Sequence, residues 1–312
     1  MRIRPFRHPG DLDDIRRLLA RCRSADEHAP LGETKYRDLL GDAATSRKYV
    51  VEADDQVIAY VHLSSRRTDV DWVLEAAIDP EHRDLLVVRQ VMQSALDLTA
   101  EAGGGSVRVW AYLPTLAAVA ETLGFSRERE LLQMRLLLPA RQAPIPPAGL
   151  RLARFRVGVD EDAWIRVNNR AFAGHPENGS WTRATLNDRF EQDWFDPDGF
   201  LLAWQGSDLV GFCWTKVHPG SVGEVYVVAV DPAHRRRSLG TWLTLEGLDY
   251  LHRSRKATRA MLYVDAANAP ATVMYERLGF ELDHVDRSLV RAPATSQPAT
   301  GDPNTRSHDG HA

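Results

Sequence analysis

The chain has 312 residues, enough for about two domains of ordinary size, and its 44% hydrophobic and 26% charged residues are those of a globular protein rather than a disordered, collagen-like or disulfide-dense one. A formal net charge of -4 gives no electrostatic reason to expect nucleic acid or an anionic membrane as partner. No apolar run approaches the ~20 residues of a membrane helix, the first residues lack a signal-peptide core, and two cysteines, Cys22 and Cys213, make neither a disulfide framework nor a zinc spacing, so a reducing cytoplasm is expected.

Read in chain order, the first half gives an apolar run at Tyr49-Val50-Val51 and strands at Val57–Ser65 and Trp72–Ile78. A helix at Val87–Ala102, a strand at Ser106–Tyr112, a helix at Leu116–Leu123 and a strand at Glu130–Leu138 follow. Pro139-Ala-Arg-Gln-Ala-Pro-Ile-Pro-Pro-Ala148 carries four prolines, which exclude a helix interior or central strand, and reads as a stiff linker. The second half opens with a strand at Gly149–Phe155 and a helix at Asp160–Phe172, with Asp160 as N-cap, then a helical segment at Trp181–Phe190. Phe200–Trp204 and Leu209–Val217 form a hairpin across Gln205–Asp208. Gly223–Val230 is a Val/Tyr strand stopped by Asp231-Pro232. Leu239–Arg253 is a helix, Arg259–Val264 a strand, Ala269–Leu278 a helix, and Phe280–Val290 the last strands. Beyond Val290 the composition is too polar to bury a core.

The two halves repeat each other. Asp79-Pro80-Glu81-His82-Arg83 recurs as Asp231-Pro232-Ala233-His234-Arg235, and Leu123-Gly124-Phe125 as Leu278-Gly279-Phe280. Tyr49-Val50-Val51 and Phe200-Leu201-Leu202 keep the same spacing, so the fold is duplicated with roughly 150 residues per copy. The expected division is 1–138, a linker over 139–148, a second domain over 149–290 and a disordered tail over 291–312.

The strongest local signal is the passage from the strand ending at Val230 through a basic turn to a helix. A helix start offers unpaired N–H groups and the positive end of a dipole, glycine permits close approach, and arginines add charge. A pyrophosphate is therefore expected on Arg235–Gly240. The bland alternative is a solvated basic helix start.

Arg235-Arg-Arg-Ser-Leu-Gly240, followed after a helix and strand by Asn268-x-x-Ala-x-x-x-Tyr-Glu-Arg-Leu-Gly-Phe280, resembles the acetyl-CoA signature of the GNAT superfamily of N-acetyltransferases. The resemblance implies two tandem GNAT folds, each an α/β (α+β) layout with a mixed sheet. The family pattern is Gln/Arg-x-x-Gly-x-Gly/Ala, so Ser238 stands where a glycine is usual. At the same place the first copy has Arg83-Asp-Leu-Leu-Val-Val88, with both glycines lost and an acid gained. Arg166–Trp181, Trp194–Gly199, Gly211–Pro219 and Gly223–Val227 further resemble the mycothiol synthase family, tandem GNAT enzymes of actinobacteria that acetylate the cysteine amine of cysteinyl-glucosaminyl-inositol. Ala29-Pro-Leu-Gly-Glu33 and Leu132-Gln-Met-Arg135 match more loosely.

The resemblance implies acetyl-CoA as donor and a small-molecule amine as acceptor; a monomer is expected, and the absence of ligand spacing leaves no metal expected. Donor contacts fall on Val228, Ala229, Val230, Arg235, Arg236, Arg237, Ser238, Leu239, Gly240, Thr241 and Asn268; acceptor contacts fall on Glu33, Glu177, Lys216, Glu224 and Tyr263. Amine acetylation needs a base for the ammonium proton, N–H donors for the oxyanion and a proton for the departing thiolate. Glu224 begins the strand leading to the turn and is the candidate base; Tyr275 is the candidate acid, though an aromatic at helical spacing is more often core. His175 and His218 lack ligand spacing. Two rivals stay open: a tandem GNAT enzyme for another amine, and an acyl-CoA-binding module without turnover, which Ser238 and the damaged first turn favour and Glu224 and Tyr275 oppose.

Overall fold

The computed structural model describes residues 1–41, 46–65, 72–175, 178–234 and 238–293; the expected tail lies outside these from residue 294. The chain divides into Met1–Glu128 with Arg287–Ala312, and Arg129–Asp286. The first unit contains β1 (Arg2–Pro5), α1 (Leu12–Asp26), α2 (Glu33–Leu40), β2 (Ser46–Ala53), β3 (Gln56–Ser65), β4 (Trp72–Ile78), α3 (Leu85–Glu101), β5 (Val107–Ala111) and α4 (Pro114–Thr122). Next come β6 (Ser126–Leu137), β7 (Arg151–Arg154), α5 (Glu161–Ala171), α6 (Arg183–Phe190), β8 (Phe200–Gln205) and β9 (Asp208–His218). The second unit continues with β10 (Val222–Val230), α7 (Leu239–Arg253), β11 (Arg259–Asp265), α8 (Ala269–Leu278) and β12 (Glu281–Arg291).

In the first unit β1 to β4 pair antiparallel in sequence, β4 pairs parallel with β5, and Arg287–Arg291 of β12 lie antiparallel to Val107–Ala111. In the second, β7 to β10 repeat the antiparallel run, β10 is parallel to β11, and Leu131–Leu137 of β6 lie antiparallel to β11. The sequence reading puts Glu130–Leu138 last in the first copy and Phe280–Val290 last in the second. In the structure the sixth place of each sheet is taken by the strand from the other copy. Either long strand satisfies the free edge of β5 or β11, and strand patterning alone does not say which.

Alternation along the strands builds a core on both faces of each sheet. Val50 and Tyr60 pack with Ile15, Leu18 and Leu39, whereas Val51 and Val61 pack with Val88, Val91 and Met92. In the second unit Cys213 packs with Leu243 and Leu248, while Phe212 and Trp214 join Trp164, Trp181 and Phe200 in an aromatic cluster. The copies also share loop chemistry. Asp11 accepts from the Arg7 N–H as Asp160 does from Arg156, and Asp79 pairs with Arg21 of α1 as Asp231 does with Arg170 of α5. Asp160 therefore makes no side-chain cap on α5, contrary to the sequence reading, because its carboxylate is spent on Arg156. Thr182 is the side-chain cap of α6.

Candidate active site

The parallel ladder between β10 and β11 covers only Val222–Glu224 against Arg259–Met261. Beyond it β11 continues to Asp265 against β6, and β10 continues to Val230 against β9, with a bulge between Val225 and Val227. The two strands part at Glu224, so the β11-facing amides of Val228–Val230 are left out of the ladder. β4 and β5 part in the same way after Leu74. Composition carries no sign of this opening.

At the end of β10 the Asp231 carboxylate accepts from the Ala233 N–H at 2.9 Å and fixes the start of the turn. Arg235, Arg236 and Arg237 lie outside the described residues. Ser238 then stands in the left-handed region at φ 54° and, among the described residues, makes no side-chain cap on α7. The first-turn N–H groups at Leu239, Gly240 and Thr241 are thus uncapped by the helix's own entry residue. Left-handed backbone costs a non-glycine residue ~1–2 kcal/mol, and glycine's extra unfolded-state freedom offsets ~0.4–1 kcal/mol of its relief. Ser238→Gly is expected to stabilise the protein by about 0.5–1 kcal/mol in chemical denaturation. Acetyl-CoA affinity by calorimetry should be unchanged or tighter; weaker binding would assign the hydroxyl to a phosphate.

Glu224 stands where the strands part, directly opposite Lys216 of β9. On β9, Trp214, Lys216 and His218 share one face by alternation, and cross-strand pairing puts Glu224 on that face too. Glu224 is 6% exposed. His218 Nε2 lies 2.6 Å from Glu224 Oε2. Lys216 Nζ sits 4.4 Å from the Trp194 ring centroid and 5.4 Å from that of Tyr226, so its charge rests on two aromatic faces. The structure thus brings Glu224, Lys216 and His218 together. The sequence reading gave His218 no role. The readable signal was the Lys-x-His spacing on a strand hairpinned to the one that begins with Glu224.

Residues 12–125 and 163–280 each match the acetyltransferase (GNAT) family. The chain is 40% identical over 292 residues to a mycothiol acetyltransferase of Rhodococcus opacus, covering 89% of this chain and 94% of the relative. It is 44% identical over 253 residues to that of Acidothermus cellulolyticus, covering 74% and 75%. The chain belongs to the mycothiol acetyltransferase family. A solved tandem GNAT protein from the clavulanic acid biosynthesis pathway shares the fold at TM-score 0.74 and 18% identity, covering 95% of this chain and 99% of that one. A GCN5-related N-acetyltransferase from Sphaerobacter thermophilus does so at 0.72 and 24%, covering 93% and 95%.

The remaining candidates of this GNAT acetyltransferase are placed as follows. Tyr275 lies on α8, 6% exposed, its ring edge-on to Phe280 at 5.8 Å; among the described residues its hydroxyl has no hydrogen-bond partner and no bond joins it to Glu224. Burial pushes its phenol above the ordinary range. Tyr263 of β11 donates to Gln133 Oε1 at 2.8 Å, and Gln133 donates to Asp283, so its hydroxyl is engaged within the unit. Burial and the nearby Glu224 charge push Tyr263 up as well. Asn268 caps α8, its Oδ1 accepting from the Ala271 N–H at 3.4 Å. Glu33 opens α2 in the first unit. Glu177 lies outside the described residues.

In the first copy the turn is bonded to the chain's own side chains. Asp84 accepts from the N–H groups of Leu86 and Val87 at 2.9 and 3.0 Å, capping with its own carboxylate the amides that a phosphate would need. Arg83 is held by both oxygens of Asp26 at 2.6 and 2.8 Å, and its Nε donates to the Ile78 carbonyl at 2.9 Å. Cys22 Sγ reaches the same carbonyl at 3.2 Å. Tyr112, 5% exposed, lies with its ring centroid 6.0 Å from the Arg83 guanidinium carbon. Glu75, in the strand equivalent to β10, accepts from the Gly32 N–H at 2.7 Å.

Proposed function

We propose that the protein transfers the acetyl group of acetyl-CoA to the cysteine amine of cysteinyl-glucosaminyl-inositol, forming mycothiol, and that the second copy alone does the chemistry. The observation that carries this reading is a carboxylate standing where β10 leaves β11, on the strand that runs into the uncapped start of α7. Glu224 takes a proton from the acceptor ammonium, directly or through water, and the free amine attacks the thioester carbon. A C–N bond forms and the C–S bond breaks. The amides of Val228 and Val230, which point away from β9, face the donor arm and the developing oxyanion, and Ala229 between them is held in the β9 ladder. The start of α7, with Arg235, Arg236 and Arg237 before it and Ser238, Leu239, Gly240 and Thr241 in it, holds the pyrophosphate, and Asn268 faces the same arm. Tyr275 gives its proton to the departing sulfur, and the second proton that nitrogen loses on becoming an amide restores the phenol, directly or through water. Glu33, Glu177, Lys216 and Tyr263 contact the acceptor.

Turnover takes place in the cytoplasm by a monomeric protein in this reading; both cysteines are buried and free, as a reducing compartment allows, and among the described residues no helix is long and apolar enough to cross a membrane. The decisive experiment incubates the protein with acetyl-CoA and cysteinyl-glucosaminyl-inositol beside a panel of other amines, and reads product by mass spectrometry. Acetylation of another amine in preference would replace the acceptor; no acetylation of any would leave a binding module. Because the first copy's turn is satisfied by its own side chains, equilibrium dialysis with labelled acetyl-CoA is expected to saturate at one molecule per chain. Saturation at two would show that Asp84 and Arg83 yield to a phosphate.

A further inference from the structure

Among the described residues, His218 is the polar group touching the candidate base to which the proposed reaction gives no task. The side chain of Glu224 is 7% exposed and that of His218 23%. A carboxylate this buried that takes a proton in each turnover must release it before the next, and its own contact with water is small. His218 Nε2 stands 2.6 Å from Glu224 Oε2, within proton-transfer distance, and the imidazole is the more exposed partner. Lys216, the other charged group on this face, holds its ammonium against the rings of Trp194 and Tyr226. Tyr263, pushed up by burial, is itself a phenol that keeps its proton. An imidazole can take a proton at one ring nitrogen and give one up at the other, which neither an ammonium nor a phenol can do.

We propose that His218 is the proton exit of the site. After Glu224 has taken the ammonium proton, the Nδ1–H tautomer of His218 presents a bare Nε2; the Glu224 O–H bond breaks and an N–H bond forms at Nε2, leaving carboxylate beside imidazolium. The imidazolium gives its Nδ1 proton to water, which leaves Nε2–H donating to the Glu224 carboxylate between turnovers, and exchange with water returns the Nδ1–H tautomer. One proton enters from the acceptor and one leaves to solvent, so the step balances with no further reactant. The inference rests on Glu224 being the base. It makes His218 a positioning and relay residue, acting on the substrate only through Glu224.

Two variants separate relay from anchoring. His218→Gln keeps an N–H donor toward Glu224 but cannot carry a proton through, and kcat is expected to fall about 10–100-fold, the lower range of acid–base contributions. The Michaelis constants for both substrates should stay within about twofold of wild type, as expected when ground-state binding is kept. His218→Ala should lose as much, and added imidazole should restore kcat in proportion to its neutral form. Calorimetric acetyl-CoA affinity serves as the check on folding in each. Full turnover in His218→Gln, or a loss that imidazole leaves untouched, makes His218 an anchor only and overturns the proposal. Glu224→Gln keeps the two readings apart. If it is inactive while both His218 variants are fully active, the relay alone fails. If it is itself fully active, the base assignment fails and the relay with it.

Discussion

Glu224→Gln is expected to lower turnover by ~10²–10⁴-fold, the usual contribution of a general base, with acetyl-CoA affinity intact. Glutamine keeps the size of the side chain, and its amide oxygen still accepts from His218 if Nε2 carries the proton, so the local packing at the fork of β10 and β11 survives. What is lost is basicity. The acceptor must then arrive as free amine, and the residual rate should rise with pH toward an amine pKa of roughly 8. Donor binding should not suffer, because the uncapped start of α7 lies beyond the far end of β10. Steady-state kinetics on both substrates, with calorimetry for acetyl-CoA, decides. Near wild-type turnover at neutral pH would put the base elsewhere. Unchanged kcat with a much raised Michaelis constant for the acceptor would make Glu224 the partner of the ammonium instead.

The parts of this fold that are legible in the sequence are those set by local chemistry. Val225–Val230 reads as a strand because it is dense in β-branched residues, and Asp231-Pro232 stops it because proline cannot continue a ladder. The duplicated Asp-Pro turns are legible for the same reason, down to the carboxylate that accepts from the N–H two residues on. The parting of β10 from β11 is not legible, since it is a pairing between segments some 35 residues apart and both strands keep a strand's pattern throughout. The exchange of β6 and β12 is hidden likewise: their sequences say that they are strands, not which edge they close. Asp84 shows the intermediate case. An acid at the turn is visible in the sequence, but that its oxygen accepts from the Leu86 and Val87 amides takes the structure to see. His218 was passed over because its meaning comes from Glu224 across the hairpin.

Tyr275→Phe is expected to lower kcat by about 100-fold, toward the lower end of acid–base contributions, because a thiol of pKa ~8.5 leaves partly without help. The change removes one hydroxyl and nothing else. Tyr275 belongs to a core with Leu239, Leu243, Leu278 and Phe280, and among the described residues its hydroxyl has no hydrogen bond to lose. Burial raises the phenol's pKa, with the nearby Cys213 adding to it, so Tyr275 stays protonated across the neutral range and serves as a donor, not a base. Phenylalanine fills the same space, so stability should change by less than about 1 kcal/mol, there being no unpaired partner left behind. Acetyl-CoA affinity and the acceptor Michaelis constant should hold while kcat falls, the pattern of a group that acts only when the sulfur departs. A donor with a more acidic thiol should recover much of the lost rate, since its leaving group needs no proton. If kcat holds and only stability moves, Tyr275 is a core aromatic and the thiolate is protonated by water.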